Sequence, residues 1–192
     1  MKKLIAFGLM MCLAAMVWGQ SDHLTFKGVP IDGTLSEFSA KLQQKGLMYI
    51  YQEDGTAMFS GEFAGYKGCH IGAYSSNNTG NVSKVGVIFP YFDTWSGLYN
   101  NYSSLKYMLT QKYGTPTSCT EKFDGYSEPS DDKDRMYRVQ FDRCKYDTTW
   151  MTDKGEIQLH ITHNDSLDCY VVLLYWDNLN YEKEQSSAMD DL

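Results

Sequence analysis

Twice along this chain a capped amphipathic helix leads into runs of alternating apolar and polar residues, broken only by Gly-, Asn- and Asp-rich turns. Strands joined through short turns pair antiparallel, so this order specifies an α+β architecture. The first helix is announced by Thr34-Leu35-Ser36-Glu37, a capping box. Leu35, Phe38 and Leu42 follow at helical spacing, and Gly46 stands where a left-handed residue ends a helix. Asp32-Gly33 is then the turn into that helix. A phosphate-binding loop would carry more glycines and a lysine at the helix start. Residues 47–52 and 57–63 read as a hairpin about Asp54-Gly55, and residues 69–75 and 82–89 as a second hairpin. The longer second helix starts near Trp95, behind Asp93 or Thr94, and stops at Gly114. Its apolar stripe is Trp95, Leu98, Tyr99, Tyr102, Leu105, Leu109 and Tyr113. Four strands are predicted after it, at 118–123, 135–146, 156–163 and 169–176. The last is apolar on both sides, which places it centrally or under a cover.

The predicted fold is therefore two tandem units, 20–92 and 93–176, each one helix packed on an antiparallel sheet of about four strands. Residues 1–19 carry two lysines and then a short apolar run ending in Val17-x-Gly19, the layout of a cleavable export signal. The segment 177–192 is acidic and reads as a disordered tail. Removing the leader leaves 173 residues and moves the net charge from −7 to −9. Such a chain repels phosphate backbones, so no nucleic-acid partner is expected. No second long apolar stretch follows, so no transmembrane span is expected in the mature chain, which is placed in the periplasm or at the cell surface. Four cysteines remain, an even number that suggests two disulfides in an exported chain. In a meander the start of 118–123 lies beside the end of 135–146, which favours Cys119–Cys144 and leaves Cys69–Cys169.

Strand parity assigns two faces to each sheet. Met48, Ile50, Phe59, Phe63, Ile71, Val85, Val87 and Phe89 face the first helix, and Tyr137, Val139, Phe141, Ile157, Leu159 and Ile161 form the second core. The opposite faces carry Tyr49, Tyr51, Met58, Glu62, His70, Tyr74 and Lys84, then Arg138, Gln140, Gln158, His160 and Thr162. Tyrosine and arginine bury large areas while keeping a polar tip, which suits an interface. The candidate binding residues are accordingly Tyr49, Tyr51, His70, Tyr74, Arg138, Gln140 and His160. Chemistry is harder to find. His160 and His163 lie three apart on a strand and point to opposite faces, so they do not share a metal ion. There is no nucleophile elbow, zinc-helix motif or glycine-rich phosphate loop. The residues identify no catalytic group, metal or cofactor.

The leader ending in Gly19-Gln20, the stretch FKGVPIDGTLSEF at 26–38 and the helix ending KYGTP at 112–116 together resemble small secreted Bacteroidetes proteins of unknown function. The helix-then-sheet duplication is similar to the beta-lactamase-inhibitory-protein and SmpA/OmlA group. That resemblance implies a non-enzymatic protein that binds other proteins, some members doing so through an aromatic-rich sheet. The chain departs from the group in carrying one helix per unit rather than a helical pair. The expectation is an exported protein that binds a protein or cell-envelope component. Its rival is a glycan-processing or other hydrolytic enzyme with a site between the units.

Overall fold

The computed structural model describes residues 21–76, 78–125 and 127–189. The leader and its cleavage site before Gln20 lie outside the described residues. The elements run β1 (Thr25–Phe26), β2 (Val29–Pro30), α1 (Leu35–Gln44), β3 (Met48–Glu53), β4 (Thr56–Phe63), β5 (Tyr66–Ser75), β6 (Val82–Ile88), α2 (Trp95–Tyr113), β7 (Ser118–Phe123), α3 (Asp132–Gln140), β8 (Cys144–Met151), β9 (Gly155–His163), β10 (Cys169–Asp177) and α4 (Asn178–Met189). Both predicted caps hold. Thr34 accepts from Glu37 N while the Glu37 carboxylate accepts from Thr34 N, and Thr94 accepts from Gly97 N at the head of α2.

The two separate helix-on-sheet units are not what forms. β3 to β10 make one antiparallel sheet in the order β3-β4-β5-β6-β10-β9-β8-β7, and β1 and β2 form a small second one. The two halves of the chain meet where β6 pairs with β10, from Ile88↔Val172 to Lys84↔Trp176. The physical reason is edge satisfaction. Left apart, two four-stranded sheets would each expose an apolar inner edge of unpaired backbone groups, and joining them pairs both.

Helices α1, α2 and α3 cover one face of this sheet, α1 over β3–β5 and α2 and α3 over β8–β10. That face supplies the core: Phe59, Ile71, Val85, Val87, Trp150, Ile157, Leu159, Val171 and Leu173 are all buried. On α2 the buried stripe is Trp95, Leu98, Tyr102, Leu105 and Leu109, while Tyr99 stays at the surface. The β1–β2 hairpin adds Phe26, stacked on Phe63 at 5.0 Å and edge-on to Tyr175 at 5.5 Å.

Three local expectations are corrected. The segment 135–146 is strand only at its end: α3 occupies 132–140, and a turn leads into β8, which begins at Cys144. Asp131 caps α3 by accepting from Asp134 N, Arg138 pairs with Asp134 one turn away, and Met136 and Val139 are its buried side. Tyr137 and Phe141, assigned to the core, are therefore exposed. Second, a bulge between Tyr49 and Tyr51 breaks the parity of β3. Met48 and Ile50 reach solvent, at 67% and 45% exposure, in place of the core positions expected for them. Third, the stretch from Asp177 onward, read as an acidic disordered tail, carries a helix over Asn178–Met189. Asp177 ends β10 fully buried, and α4 follows directly.

Asp177 explains that third result. Its carboxylate accepts from Leu24 N at 2.8 Å and from Asn180 N at 3.0 Å, and it bonds His23 Nδ1 at 2.9 Å. Asn180 Nδ2 in turn donates to the carbonyls of Ile31 and Val82 and to Asp32 Oδ1. Asp177 and Asn180 thus together tie the N-terminal segment, β6 and the head of α4.

The four cysteines of the described residues are free thiols. Cys119 lies opposite Thr148, and Cys144 opposite Phe123. The pair is four ladder positions apart, roughly 13 Å at the strand rise, beyond bridging reach. Cys69 on β5 and Cys169 on β10 are separated by β6, roughly 10 Å of sheet. The error descends from reading 135–146 as a strand, which slid Cys144 to the wrong end of its neighbour.

An open sheet face as candidate functional site

The face opposite α1–α3 has no helical layer over most of its width. Cross-strand register defines it. Tyr51, Met58, Gly72, Gly86 and Leu174 form one row, and Tyr74, Lys84 and Trp176 the next. Ser60, His70, Ile88, Val172, His160 and Asp147 make a third row across six strands. On β10 the alternation is strict: Val171, Leu173 and Tyr175 are buried under the helices, while Tyr170, Val172, Leu174 and Trp176 are half-buried on the open side.

The glycines of this face are filled, not vacant. A Cβ on Gly72 would lie 2.7 Å from the Tyr74 hydroxyl, and one on Gly86 would lie 3.1 Å from Leu174 Cδ2 and 3.6 Å from Tyr74 Cε2. The Tyr74 ring therefore lies along the sheet in the trough that the two glycines make, an aromatic cover over bare backbone. Lys84 Nζ sits between two rings, 4.2 Å from the centroid of Tyr74 and 4.5 Å from that of Trp176. Burial pushes the Lys84 ammonium below its ordinary value, and Glu184 of α4 opposes that shift. Burial also raises the Tyr74 phenol. The buried Trp176 Nε1 has no hydrogen-bond partner among the described residues. Helix α4 packs across one end of the face, with Tyr181 edge-on to Trp176 at 6.5 Å. Beside it is a hollow of about 370 Å³ lined by Met151, Glu156, Gln158, Trp176, Asn178 and Tyr181.

The expected binding residues divide accordingly. Tyr51, His70, Tyr74 and His160 lie on the open face. His160 stands 3.9 Å from Asp147, and its burial lowers the imidazole below the ordinary value, against the pull of that carboxylate. Tyr49 does not join them: the bulge turns it to the helix side, edge-on to Phe59 at 5.8 Å. Arg138 and Gln140 belong to α3, on the other side of the sheet. Arg138 donates to the carbonyls of Asp124 and Ser127 and to Asp134, and Gln140 to the carbonyl of Leu167. Tyr170, Val172, Leu174 and Trp176 were missed, although the two-sided apolar pattern of 169–176 was their signal.

A larger hollow, of about 860 Å³, lies on the helix side where α3 begins, lined by Asp93, Asp131, Asp132, Asp134, Lys133 and Tyr137 among others. Three of its four acids have structural partners: Asp131 caps α3, Asp132 pairs with Arg135, and Asp134 pairs with Arg138. The carboxylates whose proton affinity clearly shifts, Asp32, Glu37 and Asp134, all shift downward. Among the described residues no helix is long and apolar enough to cross a membrane, and no cluster of three or more His, Cys, Asp or Glu is arranged to hold a metal ion. No family model, curated protein or solved structure matches this chain.

Proposed function

We propose that this is an exported, non-enzymatic binding protein whose open sheet face holds a protein or cell-envelope component. One observation carries the reading. A central antiparallel strand, β10, is apolar on both sides; α2 and α3 cover one of them, while on the other α4 reaches only the Trp176 end. In a sheet with one solvated face, that face is normally polar. Here it presents Tyr170, Val172, Leu174 and Trp176 in one line, flanked by Ile88, Tyr74 and Met58 and bordered by His70, Gln158 and His160. A contiguous half-exposed apolar strip with a polar border is the composition of an interaction surface. The trough-filling Tyr74 and the ring-held Lys84 preset the surface, which lowers the ordering cost of association.

The test separates surface from core. Tyr74→Ala and Leu174→Ala should each weaken partner capture by about 1 kcal/mol or more, with little change in thermal stability. Phe59→Ala should instead cost about 3–5 kcal/mol of folding stability. Were the two face variants to unfold the protein as badly as Phe59→Ala, the strip would be core and the assignment wrong.

A further inference from the structure

The sheet ends in two edges of opposite character. At β7 the outer strand is polar and charged: Lys106 pairs with Glu121 at 2.6 Å, and Lys122 with Asp124 at 3.3 Å. Charge of this kind blunts an edge against further pairing. At β3 all six residues are exposed, and four in succession are large and apolar: Met48, Tyr49, Ile50 and Tyr51. β3 pairs on one side only, with β4. Its single charge, Glu53, stands at its C-terminal end.

The bulge turns Tyr49 and Tyr51 to opposite faces, so the apolar surface of this strand wraps around the edge. A partner resting on either face would leave the other half in water. Only a strand added alongside covers both, the geometry of sheet extension. We propose that β3 pairs antiparallel with β3 of a second copy of this chain, joining two sheets edge to edge about a two-fold axis.

Three features favour a second copy over another extended segment. The added strand must itself be apolar on both faces and nearly uncharged, and β3 meets its own requirement. Antiparallel pairing sets the two Glu53 side chains at opposite ends of the seam, so no like charges face each other. The arrangement also closes. A β3-to-β7 contact would set Glu121 and Lys122 against apolar side chains and repeat without limit, whereas β3 to β3 leaves only charged β7 edges outside. An axis perpendicular to the sheet keeps both open faces on one side, so the pair would display a doubled surface. The proposal holds whatever occupies that face.

A seam one strand long is small against the ~800 Å² per partner of a stable interface, so a dissociation constant on the order of 10 µM is expected. The test is sedimentation equilibrium of the mature full chain from about 1 to 500 µM, with reductant present to exclude dimers through the exposed Cys119. The mass should rise from monomer to dimer across that range. Ile50→Lys should stay monomeric at every concentration with unchanged circular dichroism. In the wild type, amide exchange over 48–53 should slow as concentration rises, a readout that needs no variant. A monomer throughout the range overturns the proposal. So does a dimer that the folded Ile50→Lys protein still forms, or one in which exchange at 48–53 is independent of concentration.

Discussion

Replacing Asp177 by alanine should be among the most damaging single changes in this chain. The carboxylate is fully buried and serves Leu24 N, Asn180 N and His23 Nδ1. A hydrogen bond to a charged group nets about 1.5–3 kcal/mol, and a buried donor left without a partner costs about 1–3 kcal/mol. These contributions overlap, and breaking a buried charged network typically costs about 3–5 kcal/mol. Against a domain stability of about 5–15 kcal/mol, the variant stays folded but weakened. With a urea slope of about 2 kcal/mol per molar, the midpoint should fall by roughly 2 M at unchanged slope. Asp177→Asn keeps one acceptor oxygen and should lose about 2 kcal/mol. Amide exchange should speed up first at Leu24 and Asn180. If Asp177→Ala lies within about 0.5 kcal/mol of the parent, like an ordinary surface change, then α4 and the N-terminal segment are not fastened as described.

The thiols and one imidazole give two further expectations. Burial pushes Cys144 up to about 12 and Cys169 up to about 11, and it also raises Cys69. The reactive species is the thiolate, so iodoacetamide at neutral pH should label exposed Cys119 in the native protein and the other three only after unfolding; a disulfide-linked peptide would contradict this. His160, held below the ordinary imidazole value of 6.5 by burial, should titrate under 6.5 when followed by NMR. Its folded value lies below its unfolded one, so the associated stability is intact above pH 6.5 and is lost as pH falls towards the folded value. A His160 titration above 6.5 would mean that Asp147 outweighs burial.

Helix signals were legible wherever a cap and a long stripe coincided: Thr34 with Glu37, and Thr94 ahead of Trp95–Tyr113. α3 was misread because nine residues give only about two and a half turns, and Tyr137-Arg138-Val139-Gln140-Phe141 also alternates with period two. The decisive cues, Asp131 as a cap and Asp134 one turn before Arg138, were local and present. The bulge in β3 leaves no trace in Met48-Tyr49-Ile50-Tyr51, yet it moves Tyr49 off the open face. The join between β6 and β10 is a long-range choice that no local pattern dictates. Its one signal was the two-sided apolar character of 169–176, which the α2–α3 layer explains on one side and the proposed interface on the other.

The central claim, that the open face holds a partner, is tested most directly by site-specific photo-crosslinking in the cell envelope. A photoreactive side chain at His70 or Thr162 samples the open face, and one at Lys41 or Gln44 samples the solvent side of α1. The account expects one dominant adduct from both open-face positions, none from α1, and loss of that adduct when Leu174→Ala is added. Adducts of equal yield from both sides, or none from the open face, would contradict it.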